Sequence, residues 1–212
     1  MFGGRRVRFH QPLHVSDVVK RISTVRQVEK KQGRSGPFTL VTVINELTVG
    51  SKPALTEEQD IVYRPSENEI TGSGSKASAL RDLGEKPDWT RTVRPDPVLL
   101  FRYSALTFNA HRIHYDLPYT REREGYPALV MNGALTALLL VETARPHLSG
   151  KIAAYTARAL RPLFVEQEIA LRGRHREGGG AELWACAPSG ERAYEVHVSL
   201  EPVSGGEPER AR

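Results

Sequence analysis

Residues 133–148, GALTALLLVETARPHL, are apolar around most of the helical circumference. A helix of that kind has no polar face to offer water, so something must wrap it. It begins after Asn132, a residue suited to N-capping, and Pro146 interrupts its end. Only one other segment reads as helical. That is DPVLLFRYSAL (96–106), where Pro97 follows Asp96 as a candidate cap. Most of the remaining chain alternates apolar and polar residues and is enriched in Thr, Val, Ile, Tyr and Trp, the signature of antiparallel strands. One buried helix among many strands predicts an α+β fold in which a sheet curls around the helix.

An internal resemblance organises the strands. RFHQPLHVSDVVKRISTV (8–25) and RALRPLFVEQEIALRGR (158–174) both begin with Arg and place Pro-Leu four residues later. Each continues into an apolar-X-acidic turn and an alternating run. The first copy goes on through FTLVTVINELTV and ALTEEQDIVYR, the second through AELWACAP and RAYEVHVSL. Turn residues at GRSG (33–36), GSKP (50–53), GGG (178–180) and PSG (188–190) separate the runs. Each copy is therefore expected to be about four antiparallel strands. A sheet around one helix is the hotdog architecture, so the expectation is a double hotdog with a degenerate or truncated first repeat. Its parts are a partial N-terminal repeat at 1–64, a Ser/Gly/Glu/Lys-rich linker at 65–88, a complete hotdog at 89–203 and a disordered tail at 204–212.

Several classes are disfavoured. The longest apolar run, Ala134–Val141, is too short to span a bilayer. The start, MFGGRRVRFHQPL, lacks the apolar core of a secretory signal, so a cytoplasmic protein without membrane association is expected. The single cysteine, Cys186, sits between Trp184 and Pro188 and reads as a packed, reduced thiol. The net charge of +5 favours anionic ligands, but its Lys and Arg residues are scattered without interleaved aromatics, so nucleic acid is not expected.

The chemistry concentrates in ALTFNAHRIHYD (105–116). There Asn109, His111, Arg112, His114 and Asp116 stand among apolar neighbours, in a chain with only seven histidines. Asn109 and His114 are too far apart for one helical face, so a turn must join them. The two histidines admit a local hydrogen-bonding role. A metal site would need Asp116 as third ligand and lacks H-x-x-x-H or C-x-x-C support. Ser104, His114 and Asp116 could be a nucleophile triad on paper, but no G-x-S-x-G elbow is present. General acid/base chemistry by histidine is the best functional reading. Downstream, GYPALVMNGAL (125–135) feeds the apolar helix. The free N–H groups at that helix start suit a developing oxyanion, and Gly133 lets a carbonyl approach the backbone.

RYSALTFNAHRIHYDLPY together with GYPALVMNGALTALLL, DWTRTVRPDPVLLFRYSALTFNAHRIHYD and RALRPLF resembles the MaoC-like hydratase/dehydratase family. The subgroup is that of two-domain 3-hydroxyacyl-thioester dehydratases and mesaconyl-CoA and itaconyl-CoA hydratases. The resemblance spans essentially the whole chain. It implies a hydro-lyase acting on a CoA or carrier-protein thioester, with no metal and no cofactor beyond the thioester itself. The family motif runs Asp-x-Asn-Pro-x-His. Without gaps, Asn109 falls on its Asp, His111 on its Asn, Arg112 on its Pro and His114 on its His. The resemblance thus implies His114 as catalytic imidazole, His111 as a second titrating group, Asn109 as a water-orienting amide and Gly133 as oxyanion donor. It further implies substrate binding by Tyr103, Arg112, Asn132 and Arg161, with Arg158 a further basic residue near the channel. Asn109 cannot act as a carboxylate base, and Asn132 stands where the subgroup has His. The chain also begins where relatives are already inside their first hotdog. Thioester hydrolysis, conjugate addition and a non-catalytic thioester-binding role therefore remain alternatives, and a homodimer is expected to cover the incomplete first repeat.

Overall fold

The computed structural model describes residues 2–33, 36–63 and 86–201. All but the last three residues of the expected linker at 65–88, the tail at 204–212 and the middle of the GRSG turn lie outside them. Alternating residues 2–63 form four strands, β1 (Phe2–Phe9), β2 (Val19–Gly33), β3 (Gly36–Val49) and β4 (Lys52–Tyr63). Strand β5 (Trp89–Val93) leads into helix α1 (Pro97–Leu106), whose start is capped by the Asp96 carboxylate accepting from Leu99 N–H at 2.7 Å. A 3-10 turn (Arg112–His114) and the short helix α2 (Leu117–Glu122) precede the apolar helix α3 (Gly133–Ala144), which gives way to a 3-10 turn at Pro146. Strands β6 (Ile152–Ala159), β7 (Ile169–His175), β8 (Ala181–Cys186) and β9 (Arg192–Leu200) complete the fold.

The strands join in one antiparallel nine-stranded sheet of order β2-β3-β4-β1-β6-β9-β8-β7-β5. The repeat seen in sequence is a repeat in space, with an offset of 150 residues. His10 and Gln11 N–H both point at the Ala54 carbonyl, and Leu160 and Arg161 N–H do the same at Ala193. Ser16 and Glu166, at the two matching turns, both adopt positive φ. Arg6 pairs with Thr156 across β1 and β6, so the local two-fold axis passes through that pair. Strand β1, which the sequence pattern did not single out, is what fuses the two halves, because it pairs with β4 on one side and β6 on the other.

The core lies in the second half. Leu135, Ala137, Leu140 and Ala144 of α3 pack on Ile169, Leu171, Leu183, Val196 and Val198 of the sheet, all essentially inaccessible. This is the hotdog architecture. The wrapping is incomplete, since Leu138 on the far side of α3 is 48% exposed. Cys186 is buried and takes part in no disulfide among the described residues. No helix lies among the described residues of the first half, and its sheet exposes Val19, Ile22, Val25 and Val28 along the edge strand β2.

Strand β5, which delivers the chain to α1, is seated by Trp89. Its ring lies so close over Gly173 of β7 that a Cβ there would meet it at 2.3 Å. Replacing Gly173 with Val should therefore destabilise the protein by about 3 kcal/mol through overpacking. Chemical denaturation checks this, and a variant as stable as the parent would show that β5 is not held this way.

Candidate active site

His114 closes the 3-10 turn and is 7% exposed. A buried imidazole needs a hydrogen-bond partner. His114 Nδ1 finds one in the backbone carbonyl of Val130, at 2.7 Å. A carbonyl only accepts, so Nδ1 carries the proton and Nε2 presents a bare lone pair. The same stretch is clamped a second time, because Val130 N–H donates to the Ile113 carbonyl at 2.9 Å. Met131 N–H in turn donates to Leu163. The turn that carries His114 is thus tied through 130–131 to the residues that open α3.

Burial pushes the His114 pKa down to about 4, with the neighbouring His111 adding to the depression and the Val130 bond opposing it. The group is therefore a neutral base at pH 7. The His111 ring stands edge-on to His114 at 5.7 Å between centroids. Burial also lowers the His111 pKa, against the raising influence of Glu124, whose carboxylate lies 3.9 Å away. Asn109 Oδ1 accepts from the His111 N–H at 3.1 Å, so part of its role is to shape the loop. Phe108, just before it, holds positive φ and is 94% exposed. An open recess of about 290 Å3 lies on Asn109 between Phe101, Phe108 and Tyr115.

Asn132 has cap geometry, but its side chain does not cap α3. It is 1% exposed, its Nδ2 faces Ser104 Oγ at 3.3 Å, and its Oδ1 has no partner among the described residues. Gly133 follows as the first residue of α3, so its N–H has no acceptor within the helix. Only glycine fits here, since a Cβ would lie 2.7 Å from the Phe2 ring.

The other residues singled out in the sequence have the following surroundings. Arg112 pairs with Asp116 at 2.6 Å and stacks over Tyr119 at 4.2 Å, on an exposed surface. Asp116 also caps α2 through Tyr119 N–H. No Ser104–His114–Asp116 relay forms, because Nδ1 of His114 faces Val130. Arg161 is half-buried and pairs with Glu191 at 2.9 Å. Arg158 is exposed on β6. Tyr103 is half-buried beside Arg5. Sequence reasoning missed the Val130 carbonyl, which as a backbone group carries no signature. It also missed Phe2 and Arg5, although the alternation of FGGRRVRF places Arg5 in phase with the buried Val7.

Comparison with known proteins agrees on the family. The model of the family described as hydroxyacyl-thioester dehydratase type 2 matches residues 1–165. A mesaconyl-C(4)-CoA hydratase of Chloroflexus aurantiacus is 44% identical over 201 residues, covering 94% of this chain and 70% of that one. The mitochondrial hydroxyacyl-thioester dehydratase type 2 of Schizosaccharomyces pombe is 28% identical over 187 residues, 77% of this chain and 60% of the relative's length. Among solved structures, a MaoC-like dehydratase from Phytophthora capsici superposes with a TM-score of 0.74 at 16% identity, over 97% of this chain and 70% of the other. HtdX from Mycobacterium tuberculosis gives 0.72 at 17%, over 95% and 76%. At such identities the structural likeness speaks for the fold.

The environment of His114 fixes a titration. Its folded pKa lies below the unfolded value of about 6.5, so between that value and about 4 the unfolded chain binds the proton and the folded one does not. Stability should fall as pH drops through this window. Histidine NMR should show His114 neutral at pH 7 as the Nδ1–H tautomer, titrating near 4. A midpoint at or above the ordinary histidine value would contradict the buried arrangement.

Proposed function

The chain belongs to the hydroxyacyl-thioester dehydratase type 2 family, and from that membership we propose that it is a hydro-lyase acting on an acyl thioester. The observation that carries the reading is that the turn holding a neutral, Nε2-basic His114 is tied through Val130 to the start of α3, where the Gly133 N–H has no acceptor within the helix. Addition of water across an enoyl thioester places the hydroxyl on C3 and a proton on C2, with negative charge passing through the thioester oxygen. A backbone N–H at a helix start is suited to hold that oxygen. In dehydration His114 Nε2 takes the C2 proton and passes it to the departing C3 hydroxyl, which leaves as water; in hydration Nε2 takes a proton from the attacking water and delivers it to C2. Asn109 and His111 flank the water that is lost or added. The acyl group is delivered by CoA or by a carrier protein. No metal is assigned to the step, and among the described residues no group of three His, Cys, Asp or Glu gathers as a metal site.

The partial first repeat supports self-association. Strand β2 is a 15-residue edge of the sheet among the described residues, and its exposed valines add an apolar surface. A homodimer extending or covering this sheet accounts for both. Sedimentation at micromolar concentration should show a dimer or larger species, and a well-folded monomer would count against it.

Hydration of crotonyl-, mesaconyl- and itaconyl-CoA, followed beside free-thiol release, tests the activity. Thiol release without hydration would assign a thioesterase instead. Replacing His114 with Ala should lower the rate by roughly 10²–10⁴-fold, the worth of a positioned proton-transfer group. His111→Ala should cost less, since that ring is half-exposed and only flanks the water. Equal losses would make the two histidines a coupled acid/base pair, and an active His114→Ala would remove the assignment.

A further inference from the structure

On the helix-facing side of the sheet, at the seam between the two halves, hydrogen-bond donors outnumber acceptors. Tyr155 pairs across from Val7 and Val198, and Tyr194 from Ala159, so both rings point the same way as the core residues Ala157 and Val196. Arg5 pairs with Ala157 and joins them from β1. Tyr103 reaches the same spot from α1 and interacts with Arg5 and Tyr155. The Tyr194 hydroxyl is buried in a residue only 2% exposed, interacts electrostatically with Arg5, Tyr155 and Tyr103, and has no hydrogen-bond partner among the described residues. Among the described residues the carboxylate that meets the cluster is that of Glu57, whose Oε1 forms an ion pair with Arg5 Nε at 2.5 Å and whose Oε2 accepts from Asn45 at 2.9 Å. A guanidinium and three phenols therefore converge on one carboxylate oxygen and the Tyr155 hydroxyl, and the Tyr194 hydroxyl, buried and orphaned among the described residues, carries a desolvation cost that a bound acceptor would relieve.

This cluster lies one aromatic ring from the seat of the thioester. Phe2 packs against Gly133, stacks on Tyr194 at 6.4 Å between centroids, and lies 5.8 Å beneath the Arg5 guanidinium. Tyr103 is the residue before Ser104, which meets Asn132 at the entrance to α3. An anion at this depth must be small and must belong to the acyl group, because the phosphates of CoA are held away from the reacting carbons by the pantetheine arm.

Building on the hydro-lyase reading above, we propose that Arg5, with the hydroxyls of Tyr103, Tyr155 and Tyr194, receives a free carboxylate on the acyl portion of the substrate. The preferred substrates are then enoyl thioesters of dicarboxylic acids. A carboxylate has two oxygens and accepts about four hydrogen bonds, which matches the donors available. Guanidinium supplies the charge and the planar fork, while the phenols add neutral donors without repelling the thioester.

The test compares kcat/KM for mesaconyl-CoA, which keeps a free carboxylate, with that for crotonyl-CoA, which has none. In Arg5→Met the ratio of the two should fall by about 10- to 100-fold, the worth of a hydrogen-bonded charge. Tyr194→Phe removes only the orphaned hydroxyl and should fold at least as well as the parent. It should lower the same ratio, by roughly 5-fold. If both variants leave the ratio unchanged, or if Arg5→Met loses both substrates equally while Tyr194→Phe loses neither, the cluster is structural and the inference is overturned. A parent enzyme that hydrates crotonyl-CoA but ignores mesaconyl-CoA overturns it while leaving the hydro-lyase assignment standing. A parent that hydrates neither defeats the assignment itself, and the inference with it.

Discussion

The bond from His114 Nδ1 to the Val130 carbonyl is the constraint on which the rest of the site depends. It settles the tautomer and the ring orientation of one imidazole together, while burial keeps that imidazole neutral. It also requires that two segments sixteen residues apart be held in register. The reciprocal bond from Val130 N–H to Ile113 does this, and the bridge between Val130 and Phe164 extends the tie to the loop before β7. Leaving a buried imidazole without that acceptor would cost about 1–3 kcal/mol. The fold therefore pins the His114 turn to the start of α3, where the Gly133 N–H has no acceptor within the helix.

The two halves share a backbone but not a core. By register, Arg21, Ser23, Asn45 and Glu57 in the first half stand where Leu171, Gly173, Leu183 and Val196 stand in the second. In the second half these positions hold α3. In the first they form a polar chain in which Asn45 accepts from Arg21 and Ser23 and donates to Glu57. Burying an apolar helix on such a face would strand those groups without water. The first half thus serves the second by its edge and its seam. It supplies Phe2 against Gly133 and Arg5 beside the tyrosines.

Much of this was legible in the sequence. The α3 segment was too apolar to be exposed, and Pro97 behind Asp96 marked the start of α1. The Pro-Leu repeat carried a 150-residue offset that the structure follows down to the positive φ of Ser16 and Glu166. Other features were not legible, for identifiable reasons. Asn132 has the right residue type for a cap, but burial turned its amide toward Ser104. Arg5 sits among Arg6 and Arg8, and only the pleat separates it from them, turning it inward while Arg6 pairs with Glu58 and Asp60 on the other face. The ion pair of Arg161 with Glu191, thirty residues on, has no local pattern to announce it. The Val130 carbonyl is invisible to any reading of side chains.

The account turns on where a thioester sits relative to Gly133 and His114. A crystal structure of the His114→Gln variant with crotonyl-CoA measures that directly. The thioester oxygen should lie about 2.7–3.1 Å from Gly133 N, with C2 and C3 facing the residue 114 side chain and Asn109. A thioester bound away from the start of α3, or one whose reacting carbons face away from residue 114, would contradict it.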